Sequence, residues 1–117
     1  MIEKIDAAIA AHSAWKGRLR DAINTGKSEF DPNKVAMDDQ CEFGKFLHTL
    51  TGEESKNKHF QEVKQHHSTF HKAAAKVLKL ALAGNQEEAE KEISLGSEFS
   101  QASSQCIMSL SAWKKEL

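Results

Sequence analysis

The stretch His67-Ser68-Thr69-Phe70-His71 places two histidines four residues apart within a long segment of helical periodicity. Residues at positions i and i+4 lie on the same face of an α-helix, one turn apart, so both imidazoles can approach one point. Whether that point holds a metal ion depends on which other side chains reach it. The stretch therefore predicts a helix with a candidate metal-binding face, and the remaining ligands must come from elsewhere in the chain.

The segment around this stretch, residues 53–83, predicts the longest helix. Steps of three and four residues separate its inward positions, which is the spacing of a buried helical face. This face consists of Phe60, Val63, His67, Phe70, Ala74, Val77 and Ala81. His71 flanks that face one turn after His67. The histidines outside the face are interpreted as surface residues: His48, His59 and His66.

Residues 2–24 predict a first helix with the same spacing. Its inward positions are Ile2, Ile5, Ile9, His12, Lys16, Leu19 and Ile23. His12 occupies a position where a helix that only built a core would favour leucine, and Trp15 lies beside it. Two interpretations remain open for His12: a core histidine held by one hydrogen bond, or a metal ligand.

A connection at residues 25–33 and a short helix follow. Asp31-Pro32 predicts an N-cap with proline at the first helical position. Asp39-Gln40-Cys41-Glu42 matches a capping box with Asp39 as the cap, and the short helix then ends near Gly52. This places Cys41 in the first helical turn, where the backbone N–H groups favour thiolate over thiol. The alternative is that Cys41 is a small buried apolar residue.

The last segment, residues 86–116, predicts a helix that begins after a stop at Gly84 and a cap at Asn85. Gly96 is expected to kink or interrupt it. Its inward positions are Ala89, Ile93, Phe99, Cys106, Leu110, Trp113 and Leu117. Cys106 has no other ligand type near it in this stripe, so we interpret it as part of the core.

Together these segments predict an all-α fold: a four-helix bundle with a short additional or broken helix that carries Cys41, in a single domain spanning residues 1–117. The composition, 39% apolar and 28% charged residues, is that of a globular chain. Sixteen basic and seventeen acidic residues are spread along the chain and give a net charge of −1, which argues against nucleic acid as a partner. We find no long apolar run and no signal-peptide pattern, so we expect a soluble, cytoplasmic protein without membrane contact.

The candidate ligands lie on three predicted elements: His12 on the first helix, Cys41 on the short one, and His67 with His71 on the long one. Zinc binds cysteine sulfur and histidine nitrogen in a tetrahedron, and three buried imidazoles without a partner would be costly. Four protein ligands would close such a site, which argues against a zinc hydrolase. Two alternatives are a di-iron bundle of hemerythrin type, which needs inward carboxylates that the stripes do not show, and a metal-free interaction module.

Three stretches of this chain resemble the zinc-binding domain of bacterial chemoreceptors, the CZB family. They are the run from His12 to Lys16, the segment Cys41-Glu42-Phe43-Gly44-Lys45-Phe46-Leu47, and His67-Ser68-Thr69-Phe70-His71. The family carries a histidine in its first helix, a cysteine followed by Phe or Leu, Gly and Trp-Leu at fixed offsets, and a His-x-x-x-His pair. Phe46 stands where many members have Trp. The resemblance extends into residues 89–99.

The resemblance implies a bundle that binds one Zn²⁺ through His12, Cys41, His67 and His71 and that acts as a sensor rather than an enzyme. Members of the family sense zinc or oxidants such as hypochlorous acid. We therefore expect Cys41 to be the oxidant-sensitive ligand. We also expect a homodimer that signals to a chemoreceptor or diguanylate cyclase module, either joined to this chain or acting in trans.

Overall fold

The structure is a computed structural model that describes residues 2–39, 41–50, 52 and 54–117. Within these residues the chain is helical and has no β-strand. Its elements are α1 (Ile2–Ser13), α2 (Trp15–Thr25), α3 (Pro32–Val35), α4 (Glu42–Thr49), a 3-10 turn (Glu54–Lys56), α5 (Lys58–Leu82), α6 (Gln86–Ile93) and α7 (Glu98–Glu116). The predicted all-α bundle, with a short helix beside Cys41, is confirmed. None of the described helices combines the length and apolar content needed to cross a bilayer.

Helix α5 is the central element of the bundle. It packs against α2, α3, α6 and α7, while α1 packs against α7 and α4. The predicted inward face of α5 is buried from Phe60 to Ala81. Phe70 of this face is in contact with α7, where the ring centroid of Phe99 lies 5.5 Å from its own. This packing fixes the middle of α5, which carries His67 and His71, inside the molecule.

The start of α5 differs from the prediction. The sequence pattern predicted a helix from residue 53, which lies outside the described residues, whereas α5 begins at Lys58. The reason is Asn57, whose side-chain oxygen accepts hydrogen bonds from the backbone N–H groups of His59 (2.7 Å) and Phe60 (3.4 Å). An asparagine that caps in this way holds a non-helical backbone conformation and sets the helix start.

The first predicted helix is two helices that meet at Ala14, which keeps a helical backbone conformation between α1 and α2. The buried face of the pair runs through Ile5, Ala8, His12, Trp15, Leu19, Ala22 and Ile23. Lys16 was predicted to face inward, and this was wrong: Lys16 is exposed and Trp15 is buried. Both positions satisfy a step of three or four residues from His12, and burial of the large indole ring decides between them.

The C-terminal segment is divided as expected. Gly84 and Gly96 adopt left-handed backbone conformations, with φ of 82° and 85°, and they end α5 and separate α6 from α7. The Ser97 hydroxyl then caps α7 by accepting from the N–H of Ser100. Asn85 occupies the N-cap position of α6 without a side-chain capping bond. Leu117, predicted to be inside, is 51% exposed because the helix ends one residue before it.

Candidate metal centre

The structure brings together all four side chains predicted as ligands. His12 lies at the end of α1, Cys41 directly precedes α4, and His67 and His71 lie one turn apart on α5. One ligand atom from each residue lies within 4.8 Å of those of the other three. The three histidines are at most 2% exposed, and Cys41 is half-buried. We call these four residues the His/Cys cluster.

The distances within the His/Cys cluster fit one small metal ion. The Nε2 atoms of His67 and His71 are 3.0 Å apart, and those of His12 and His71 are 3.4 Å apart. Cys41 Sγ lies 3.3 Å from His67 Nε2 and 3.5 Å from His71 Nε2. In tetrahedral zinc sites, bonds of about 2.0 Å to nitrogen and 2.3 Å to sulfur give edges of roughly 3.3 Å and 3.5 Å. Four of the six edges are close to these values, and the other two, from His12 to Cys41 and to His67, are at most 4.8 Å.

Backbone carbonyl groups determine which nitrogen of two histidines carries the proton. His12 Nδ1 donates to the carbonyl of Ala8 at 2.7 Å, and His71 Nδ1 donates to the carbonyl of Val35 at 2.9 Å. A carbonyl oxygen can only accept, so each neutral ring has its proton on Nδ1 and a lone pair on Nε2. The two Nε2 lone pairs therefore face each other across 3.4 Å. Two opposed acceptors repel unless a cation or a hydrogen-bond donor lies between them, and metal-binding histidines characteristically make this kind of Nδ1–H bond.

His67 is held differently from the other two histidines. Among the residues that the structure describes, its buried Nδ1 has no hydrogen-bond partner. Its position depends instead on packing, with Phe43 at 5.4 Å and the His12 ring at 4.8 Å between centroids. Because no carbonyl fixes its tautomer, the His67 ring can present a lone pair at Nε2 to a metal or donate a proton from that atom.

Burial keeps the three imidazoles uncharged at neutral pH. It lowers the pKa of His12 to about 4, although the hydrogen bond to Ala8 acts in the opposite direction. Burial and the neighbouring His71 lower the pKa of His67 to about 2. The pKa of His71 is also lowered by burial, against the opposing effects of Val35 and Asp38. Neutral imidazole is the form that binds metals, so none of the three rings has to lose a proton to bind a cation.

Cys41 occupies a different position from the predicted one. The sequence placed Asp39 at the N-cap and Cys41 in the first turn, but Cys41 is itself the N-cap, and its sulfur accepts from the N–H of Gly44 at 3.3 Å. Burial raises the pKa of the Cys41 thiol, and the N–H groups of Gly44 and Phe43 only partly offset this effect. The predicted preference for thiolate is therefore wrong for the metal-free protein, because desolvation outweighs the helix terminus.

Gly44 allows α4 to approach the loop that precedes it. A Cβ atom at this position would collide with the carbonyl oxygen of Asp38 and lie 3.1 Å from Cα of Asp39. Only glycine permits this contact, which sets where the first turn of α4 lies and thus where the Cys41 sulfur points. Gly44 belongs to the stretch of residues 41–47 that resembles the family motif, and this motif was the signal that could have identified its role.

The structure describes residues 35–39 and 41, which we call segment 35–41, and this segment is tied to the His/Cys cluster at both ends. At one end, the carbonyl of Val35 accepts from His71 Nδ1, and Val35 itself is buried. At the other end, Cys41 contributes its sulfur. The carbonyl partners Ala8 and Val35 could not be predicted from the sequence, since every residue carries a carbonyl group and only the fold selects which one faces a ring.

Two clefts lead from the surface to the His/Cys cluster. One is lined by Lys4, Ala8 and Phe43, and the other by Trp15, Phe30 and Arg18. His12 and Cys41 line both clefts. Small molecules that enter either cleft would therefore lie next to Cys41.

The other histidines and Cys106 do not join this group. His48 pairs with Asp38 at 3.8 Å, and His59 pairs with Glu116 at 3.6 Å. Cys106 lies fully buried in α7, where burial raises the pKa of its thiol to about 12, as expected of a core residue. No carboxylate is among the buried polar side chains that the structure describes, which are His12, His67, His71 and Ser109. A di-iron site therefore lacks its ligands here.

Comparison with known proteins gives one match. The model of the chemoreceptor zinc-binding domain family matches residues 12–78, more than half of the chain, and this range contains all four residues of the His/Cys cluster. The family is one of sensory and regulatory domains. No curated protein and no solved structure matches the chain significantly.

Replacing Gly44 by alanine should weaken metal binding, because the added methyl group would displace α4 from Asp38 and move the Cys41 sulfur. We expect the Zn²⁺ affinity to fall by roughly tenfold or more, as when a group that positions a ligand is lost. Gly17→Ala is the matched control, since nothing lies within 4 Å of a Cβ there. Competition with a chromophoric chelator measures both variants, and equal affinities would contradict the role given to Gly44.

Acid should destabilise the metal-free protein through its histidines. The unfolded chain takes up protons near the ordinary pKa of 6.5, whereas folded His12 stays neutral down to about pH 4. The unfolded state thus binds more protons in this window, so stability falls as pH is lowered from 6.5, by roughly 1.4 kcal/mol per pH unit for each such histidine. Urea unfolding between pH 7.5 and 4.5 measures the slope, which His12→Leu should reduce by about one proton. A flat profile in the metal-free protein would contradict the burial argument.

Proposed function

Because the chain belongs to the chemoreceptor zinc-binding domain family, we propose that its His/Cys cluster binds one Zn²⁺ and that the domain is a sensor. His12, Cys41, His67 and His71 are the proposed ligands. The observation that carries this proposal is the opposed pair of lone pairs on His12 Nε2 and His71 Nε2, 3.4 Å apart, with Cys41 Sγ and His67 Nε2 within reach of both.

The donor set favours zinc over other divalent ions. Three imidazole nitrogens and one thiolate in a tetrahedral arrangement are typical of Zn²⁺, while magnesium and calcium prefer oxygen ligands. Four protein ligands leave no open coordination position, which is a property of structural and regulatory zinc sites rather than hydrolytic ones. We therefore propose a regulatory role without enzymatic activity.

Ligation makes the conformation of segment 35–41 depend on the metal. When bound, Zn²⁺ would join three elements of the bundle and hold the Cys41 sulfur as a thiolate. The His71–Val35 bond at 2.9 Å would then be strengthened, since a ring that ligates through Nε2 is a better donor at Nδ1. In the metal-free protein the Cys41 end of the segment is retained by packing and by the contact with Gly44. Part of the free energy of zinc binding would thereby serve to order this segment.

Oxidants offer a second input at the same residue. Cys41 is half-buried and lines both clefts, whereas the three histidine side chains are at most 2% exposed. In the net reaction, the Cys41 thiolate and hypochlorous acid give Cys41 sulfenic acid and chloride, with the sulfur oxidised by two electrons and the chlorine reduced by two. A sulfenic acid is a poorer ligand than a thiolate, so α4 would be released while the three histidines stay in place.

The output is proposed from family membership alone. We propose that the domain is bacterial and cytoplasmic, forms a homodimer and transmits the state of segment 35–41 to a chemotaxis or cyclic-di-GMP signalling module, in cis or in trans. This role fits a domain of the chemoreceptor zinc-binding family.

Zinc binding at pH 7 should release about one proton per ion, because the three histidines are already neutral and only the Cys41 thiol must ionise. Calorimetry in buffers of different ionisation enthalpy measures this number. In Cys41→Ala, we expect proton release near zero and an affinity lower by roughly hundredfold.

Cys106→Ala is the matched control, since Cys106 lies in the core and is expected to leave both the affinity and the proton count unchanged. Equal affinity and equal proton release in wild type and Cys41→Ala would remove Cys41 from the site and overturn the proposal.

A further inference from the structure

A groove outside the His/Cys cluster lies between the end of α3 and the C-terminal half of α5. Small and apolar side chains form its floor, and three lysines of α5 stand around it. The lining residues are Ala36, Lys72, Ala75, Lys76, Lys79, Leu80 and Ala83. We call this surface the α3/α5 groove.

The shape of the α3/α5 groove suits a helix. Alanines at positions 36, 75 and 83 leave the floor low, so the backbone of a partner can come close to α5. Lys72, Lys76 and Lys79 follow steps of four and three residues and thus form one stripe along α5. Their aliphatic stems extend the apolar surface while their ammonium groups reach solvent. Grooves of this kind bind the apolar face of amphipathic helices.

The charge of the α3/α5 groove specifies the partner further. Lys76 already engages carboxylates, with Glu92 at 3.8 Å and Glu98 at 3.6 Å. In the described part of the chain, Lys72 and Lys79 have no carboxylate oxygen within the 4.0 Å of an ion pair. Two exposed ammonium groups on the same face of α5 thus remain available for acidic side chains of a bound helix.

The α3/α5 groove is connected to the His/Cys cluster through the backbone. Ala36 directly follows Val35, whose carbonyl accepts from His71 Nδ1 at 2.9 Å. On the other wall, Lys72 directly follows His71. Helix α3 has only four residues, and it is held against α5 by this hydrogen bond together with the burial of Val35.

We propose that the α3/α5 groove binds an acidic amphipathic helix of a partner protein and that the His/Cys cluster controls the groove by fixing its α3 wall. The control rests on the proposed zinc site, whereas the binding surface itself rests on the lysines and the apolar floor. Loss of the metal would loosen the Val35 end of segment 35–41 and lower the affinity for the helix without closing the groove.

The test uses the full chain and a fluorescent sixteen-residue peptide of leucine, alanine and glutamate, with glutamates on both sides of a leucine face. Fluorescence anisotropy should show binding that weakens by roughly tenfold or more in the double variant Lys72→Glu/Lys79→Glu. The matched control is Lys58→Glu/Lys64→Glu, which makes the same change of charge at two exposed lysines of the same helix and should leave the affinity unchanged. A peptide with glutamine in place of glutamate should bind the wild-type chain about as weakly as the glutamate peptide binds Lys72→Glu/Lys79→Glu.

Chelation of zinc, or Cys41→Ala, should lower the peptide affinity by roughly fivefold or more if the two sites are coupled. If the peptide does not bind, or if both double variants lose the same affinity for it, the proposal that the α3/α5 groove binds an acidic helix is overturned. This holds even when zinc binds as proposed. If the chain binds no zinc but the lysine variants still differ, the proposed function fails and the acidic-helix surface stands. Self-association that only Lys72→Glu/Lys79→Glu abolishes, without peptide binding, would assign the groove to a second copy and overturn the proposal.

Discussion

Two neutral imidazoles that present lone pairs to each other inside a helical bundle are the arrangement on which the rest of the structure depends. His12 and His71 each donate from Nδ1 to a backbone carbonyl, so their Nε2 atoms, 3.4 Å apart, can only accept. Burial disfavours the protonated form that would relieve the repulsion, as the lowered pKa of His12 shows. A cation would relieve it directly, and a Cys41 thiolate would supply one negative charge that partly offsets the charge of the cation.

Under the proposed function, this arrangement would link the metal site to the conformation of one segment. Segment 35–41 meets the His/Cys cluster at the Val35 carbonyl and again at Cys41, and between these points it passes the α3/α5 groove at Ala36. Helix α5 is packed against α2 and α7 as well as against α3. We propose that a change at the metal site alters this surface while the fold persists, which is the separation that a sensor domain requires.

Much of the site could be predicted from the sequence, because helical spacing places His67 and His71 on one face and His12 on a buried stripe. Choices between neighbouring residues could not be predicted. Trp15 or Lys16, and Asp39 or Cys41 as the cap, fit the local pattern equally well, and tertiary burial decides between them. The carbonyl partners Ala8 and Val35 leave no trace in the sequence. The pKa of Cys41 also depends on desolvation, which only the packed structure reveals.

The central claim is that three histidines and one cysteine share a single zinc ion, and X-ray absorption at the zinc edge tests it most directly. The loaded protein should show three nitrogen neighbours at about 2.0 Å and one sulfur at about 2.3 Å. In Cys41→Ala the sulfur shell should disappear while the imidazole scattering persists. A wild-type spectrum without sulfur, or one dominated by oxygen ligands in a site of higher coordination number, would contradict the account.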